Sequence, residues 1–136
     1  MNRFLRRTVS AAAVAIAVVL ASATAVAFPG AWTASAPRLS VASSQLERDS
    51  AALAPPAGHA DGVVERVVWR YRQAPGAGLL ARLCHGHRCV RLNAARGSTE
   101  AFAGLAAAGP FVFRFRLAEG APPQTVEGMT VIVNHR

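Results

Sequence analysis

Phe111-Val112-Phe113-Arg114-Phe115-Arg116-Leu117 is the stretch that decides the fold. Phe111, Phe113, Phe115 and Leu117 alternate with Val112, Arg114 and Arg116. A period of two sends one set of side chains to a buried face and the other toward solvent, as in a half-buried strand. The same pattern recurs on both sides of this stretch. In Val63 to Arg72, Val67, Trp69 and Tyr71 share one face, and Val68, Arg70 and Arg72 share the other. Gln73 to Gly78, containing Pro75-Gly76, turns the chain, and Leu79, Ala81 and Leu83 continue the apolar face. After a tight turn, Val90 and Leu92 do so in a partner strand, which makes a hairpin. Glu119 to Pro123 is a turn, and Met129 to Val133 is a last strand, apolar on both faces and therefore predicted to be central or covered. Short β-type runs punctuated by Gly, Pro and Asn, with no sustained helical period and no internal repeat, predict an all-β antiparallel sandwich or barrel over residues 63–136.

The chain upstream has a different character. Residues 28–62 are rich in Ala, Ser and Pro, with a strand-like Arg38 to Ala42 and a turn-like Pro55-Pro56-Ala57-Gly58, and partial order is expected there. Residues 1–27 read as a cleaved signal peptide. Arg3, Arg6 and Arg7 form its basic end, Ala11 to Leu20 its apolar run, and Ala25-Val26-Ala27 its small-residue cleavage site. The apolar run falls short of the roughly 20 residues that span a bilayer. Maturation at Phe28 would leave 109 of the 136 residues, enough for one domain with a single core, and no membrane segment.

Export also conditions the reading of charge. All fifteen basic residues are arginine, and after loss of three with the leader, twelve arginines face seven carboxylates, a balance of +5. Outside the cytoplasm such a surface meets anionic lipid, cell-wall polymer or acidic protein rather than nucleic acid. Arg70, Arg72, Arg82, Arg91, Arg114 and Arg116 all take the phase opposite the apolar side chains, and together they form a candidate interaction face. The alternative is an ordinary solvated sheet face.

Cys84 and Cys89 flank His85-Gly86-His87-Arg88. In an oxidising compartment the two cysteines are expected to pair and contribute about 2 kcal/mol. Four ligand-type side chains in six residues also admit a zinc or copper reading, but one tight turn aims four groups poorly at a tetrahedral centre. Catalysis needs a nucleophile with a base, paired carboxylates or an open metal site. Asp49, Asp61, Glu65, Glu100, Glu119 and Glu127 are scattered, Ser98 lacks an elbow motif, His59 lies in the Pro-rich region and His135 at the terminus. The chain is therefore read as a non-enzyme without cofactor or metal. Trp32 and Trp69 are of the type that stacks on sugar rings, although Trp69 alternates with Val67 and Tyr71 as a core residue would.

Several short motifs carry a family likeness. They are Val67-Val68-Trp69-Arg70-Tyr71, Arg82-Leu83-Cys84, Arg88-Cys89-Val90, Gly97-Ser98-Thr99 with Phe102-Ala103, and Val131-Ile132-Val133-Asn134-His135-Arg136, with Gly30-Ala31-Trp32 upstream. In these the chain resembles the flagellar protein FlhE family of exported bacterial proteins. The resemblance implies a β-sandwich in the periplasm, without catalysis, acting on a flagellar basal-body or export-gate component. It implies a role in limiting proton leakage through the flagellar export apparatus or in assisting basal-body assembly. The family's turn between the cysteines does not require histidines, which adds to the disulfide reading and makes His85 and His87 incidental. The sequence departs from the family at His135, where a tyrosine is typical, and through Ser43 to Gly62. The alternative function is an envelope-binding module whose arginine face and Trp32 engage cell-wall glycan or anionic lipid.

Overall fold

Nine strands run through residues 30–136, the part of the chain that the computed structural model describes. They are β1 (Gly30–Ala36), β2 (Leu39–Val41), β3 (Arg48–Asp49), β4 (Val64–Arg72), β5 (Leu79–His85), β6 (Arg88–Leu92), β7 (Arg96–Thr99), β8 (Phe111–Leu117) and β9 (Gln124–His135). The expected signal peptide over residues 1–27 and the maturation point at Phe28 lie outside the described residues. Among those described there is no helix long and apolar enough to cross a membrane.

The strands form two antiparallel sheets. One has the order β1-β9-β4-β7, with β2 pairing further along β9; the other has the order β3-β8-β5-β6. Phe111, Phe113, Phe115 and Leu117 of β8 are all buried, as their alternation predicts. Val67, Trp69 and Tyr71 of β4 meet them from the opposite sheet. Tyr71 stands edge-on to Phe113 and Phe115, with ring centroids 6.1 and 5.2 Å away. This arrangement suits the aromatic quadrupole. The fold is thus an all-β antiparallel sandwich whose core lies between the two sheets.

Two irregularities set which side chains reach that core. Between the pairs Val64↔His135 and Arg66↔Asn134, β4 advances two residues against one of β9. That bulge lets Val64 and Val67 both point inward. Between Arg70↔Thr130 and Arg72↔Glu127 the extra residue belongs to β9, so Val126 and Met129 both face the core. β9 is central, as predicted for Met129 to Val133, and it begins five residues earlier than that stretch. Its outer face is open, leaving Ile132 39% exposed.

Residues 30–62 correct the expectation of partial order. β1 pairs with β9 over seven residues, from Gly30↔His135 to Ala36↔Met129. After Pro37, which lacks an amide donor and ends that ladder, β2 resumes pairing at Leu39↔Val126. The segment then crosses to the other sheet, where Ser50 N donates to the Phe113 carbonyl at 2.8 Å and Leu53 exchanges two backbone hydrogen bonds with Phe111. Buried Val41 and Leu53 are the apolar returns for ordering this chain. The sandwich therefore begins at β1 rather than at residue 63.

Candidate functional site

The six candidate arginines occupy two faces, not one. Arg70 and Arg72 lie on β4, on the outer face of the β9 sheet, whereas Arg82, Arg91, Arg114 and Arg116 lie on β5, β6 and β8 in the second sheet. Alternation separates inside from outside but does not say which strands share a sheet, and that corrects the single cationic face.

On the second sheet, cross-strand pairing places Arg91, Arg82 and Arg114 side by side, through Arg82↔Arg91 and Arg82↔Arg114. Like charges directly opposite each other destabilise a ladder. The chain answers Arg82 and Arg114 itself, while Arg91 has no ion pair among the described residues. Asp49, the register partner of Arg114, places Oδ1 3.3 Å from the Arg114 Nε. Glu47 receives Arg82 with both oxygens, Nε donating to Oε2 at 2.7 Å and Nη2 donating to Oε1. Arg116 Nη1 donates to the Ser44 carbonyl at 3.3 Å. The segment Ser43 to Asp49 therefore straps this arginine face. Ser43 Oγ curves it by accepting the amides of Gln45 and Leu46, each at 3.0 Å. Glu47 is the residue that the sequence pattern did not single out.

The Arg82 hydrogen bond holds the Glu47 carboxyl below the ordinary glutamate range, against an opposing push from burial, and raises Arg82 in turn. A carboxyl with a depressed folded-state pKa contributes stability above its unfolded value and loses that contribution as pH falls through the folded value. Both side chains are about one-third exposed, so solvent screening limits the effect. Glu47→Gln is expected to cost about 0.5 kcal/mol at neutral pH. The difference from wild type should vanish at pH values below the ordinary glutamate range, as read by urea unfolding at a series of pH values.

Cys84 and Cys89 form a disulfide across the β5–β6 hairpin, where they are register partners. Both sulfurs are thereby used, and no group of three or more His, Cys, Asp or Glu side chains among the described residues is placed to hold a metal. His85 is not incidental. Its Nε2 lies 2.8 Å from the Ala106 carbonyl oxygen and its ring stands edge-on to Phe111 at 4.8 Å, so it ties the hairpin to the loop before β8. His87 is exposed at the turn. His135 lies across Gly30, where an added Cβ would sit 2.8 Å from its ring.

Both tryptophans belong to the core. Trp32 is 7% exposed and its indole N–H donates to the Ala107 carbonyl at 2.8 Å; Trp69 donates to Ala94 at 3.1 Å. Neither ring offers a stacking platform, which removes Trp32 as a glycan-binding residue. Trp69 instead covers Gly97 of β7, where a Cβ would approach the ring to 2.6 Å. The Gly97-Ser98-Thr99 motif is thus an edge strand shaped to admit an indole from β4, and Ser98 sits exposed on it without a base.

Comparison with known proteins gives a consistent result. The family described as Flagellar protein FlhE matches residues 39–136. The flagellar protein FlhE of Escherichia coli (strain K12) is 42% identical over 82 residues, covering 57% of this chain and 63% of that protein. FlhE of Salmonella typhimurium is 40% identical over 80 residues, covering 55% and 62%. The matches thus span less than two thirds of the length of these relatives. A crystal structure of FlhE aligns with a TM-score of 0.73 at 32% identity, covering 81% of this chain and 99% of that one.

Proposed function

The chain belongs to the FlhE family of flagellar proteins, and from that premise we propose that it is a periplasmic accessory of the flagellum that acts by binding. Its action limits proton leakage through the flagellar export apparatus or assists basal-body assembly, through contact with a basal-body or export-gate component. The family match over residues 39–136 carries this reading. Two features support it. The Cys84–Cys89 disulfide fits an oxidising compartment, and a sandwich with its aromatics turned inward presents firm polar faces suited to docking.

Deletion of the gene, followed by measurement of cytoplasmic pH after an external acid shift, tests the proposal in cells with and without the export gate. The expected result is excess acidification in the deletion strain only when the gate is present. Unchanged pH in both backgrounds would remove leak limitation and leave basal-body assistance, which requires that the protein co-sediment with isolated basal bodies.

A further inference from the structure

The outer face of the β1-β9-β4-β7 sheet repeats the electrostatic problem of the second sheet, and the one ion pair on it among the described residues, Arg72 with Glu127 at 3.9 Å, leaves its central arginines unanswered. Arg70 and Arg96 are direct register partners across β4 and β7. Both are exposed, both point away from the core, and among the described residues neither has an ion pair or a side-chain hydrogen bond. A like-charge pair in that position is destabilising. Arg66 stands on the same face four residues back along β4, about 13 Å away at strand rise, again without a carboxylate partner among the described residues. Between these cations lies a shallow groove of about 730 Å³ floored by Val68 and exposed Ile132, with no carboxylate among its lining residues.

On the second sheet, Arg82 and Arg114 are neutralised by an extended segment that brings Glu47 and Asp49, two residues apart, onto them. We propose that the Arg66, Arg70 and Arg96 groove binds an acidic, extended polypeptide segment of a partner protein in the same manner. Its carboxylates span Arg66 to the Arg70–Arg96 pair, and an apolar side chain between them rests on Val68 and Ile132. This deepens the proposed binding function and rests on it for the partner's setting. Other occupants fit the face less well. A glycan lacks an open aromatic platform, because Trp69, the one aromatic residue lining the groove, is only 8% exposed. A bilayer lacks anchoring side chains, because Ile132 is the only large exposed hydrophobic residue on this face and the only other among the described residues, Leu46, belongs to the strap on the opposite sheet.

The test uses the chain expressed in full and purified as the cell processes it, with the ten-residue peptide Ser-Glu-Ser-Val-Ser-Glu-Ser-Val-Ser-Glu as probe, whose Glu and Val side chains share one face when extended. Wild type should bind the peptide with affinity that falls as salt rises. The pair Arg70→Glu with Arg96→Glu should weaken binding at least about tenfold, since charge-assisted hydrogen bonds are lost. Arg91→Glu, on the other sheet, should leave it within about twofold. Arg70→Glu alone supplies a control on folding. It replaces a repulsive cross-strand pair by an attractive one, so its thermal midpoint should rise by about 3 °C while peptide binding falls. Equal peptide binding by the double variant and wild type would overturn the proposal. So would wild-type binding to phosphatidylglycerol vesicles without binding to the peptide. Co-sedimentation with basal bodies separates the two levels: retention of both wild type and the double variant refutes the groove and leaves the proposed function standing. Failure of wild type itself to co-sediment, with peptide binding intact, refutes basal-body docking and leaves the groove.

Discussion

Phe113→Ala is expected to lower the free energy of unfolding by about 3–5 kcal/mol, the range for truncating a fully buried phenylalanine. Phe113 is 0% exposed and occupies the centre of the inner layer. Its ring stacks 5.8 Å from Phe115 and receives the edge of Tyr71 from the opposite sheet at 6.1 Å. Its backbone is equally committed, because Phe113 N donates to Ser50 Oγ at 3.0 Å and its carbonyl accepts Ser50 N at 2.8 Å. The rigid main chain keeps the site from collapsing, so the cavity should persist. A domain of this size has total stability on the order of 5–15 kcal/mol, and the loss is therefore about a fifth of it or more. Urea unfolding should show a lower midpoint with an unchanged slope. Phe113→Leu should recover more than half of the loss, and Arg91→Ala, on an exposed position of β6, should stay within about 0.5 kcal/mol. A cost below about 1 kcal/mol for Phe113→Ala would mean that the two sheets do not pack through this residue.

The alternation that identifies Phe113 as core was readable because it is a local property. In β8 every apolar residue at the inward phase is buried, and the β5–β6 hairpin is marked by its turn and its cysteines. What remained hidden depends on partners distant in the chain. β1 carries Trp32 among small residues, Gly30-Ala31 and Thr33-Ala34-Ser35-Ala36, and is extended only because β9, some hundred positions away, offers a ladder. β7 carries no strand pattern of its own, since Gly97 is a poor strand former, and is a strand because Trp69 fills the space that a side chain would occupy. The arginines take the outward phase of their strands. Their division between two sheets follows from β4 pairing with β9 and β7 rather than with β5, which no local pattern encodes. Glu47 lies in a segment without periodicity, and its importance follows from the position of Arg82 beneath it.

The same dependence on distant partners governs Gly62, where replacement by Ala is expected to cost about 3 kcal/mol. Gly62 adopts a φ of +83°, and an added Cβ would overlap the carbonyl oxygen of Arg136. The left-handed conformation alone costs an alanine about 1–2 kcal/mol. The overlap adds to this because its partner is main chain held from both sides: Val63 N donates to the Arg136 carbonyl at 2.9 Å, and Arg136 N donates back to Val63 at 3.1 Å. Relieving the clash breaks one or both, each contributing about 1 kcal/mol. The damage should spread, because this corner collects three distant parts of the chain. Ala107 N donates to the Gly62 carbonyl at 3.0 Å, and the Ala107 carbonyl accepts the indole of Trp32 at 2.8 Å. Hydrogen exchange in Gly62→Ala should therefore accelerate at Val63, Ala107 and Arg136 together, while the Leu79–Leu117 end of the β5–β8 ladder, opposite the His85–Phe111 end that adjoins this corner, keeps its protection. Acceleration confined to Val63 would show that the corner is not a cooperative unit. Because the corner adjoins the end of β9 from which Ile132 and the arginine-lined groove extend, a variant softened here should also lose affinity for an acidic segment without any change in the groove's own side chains.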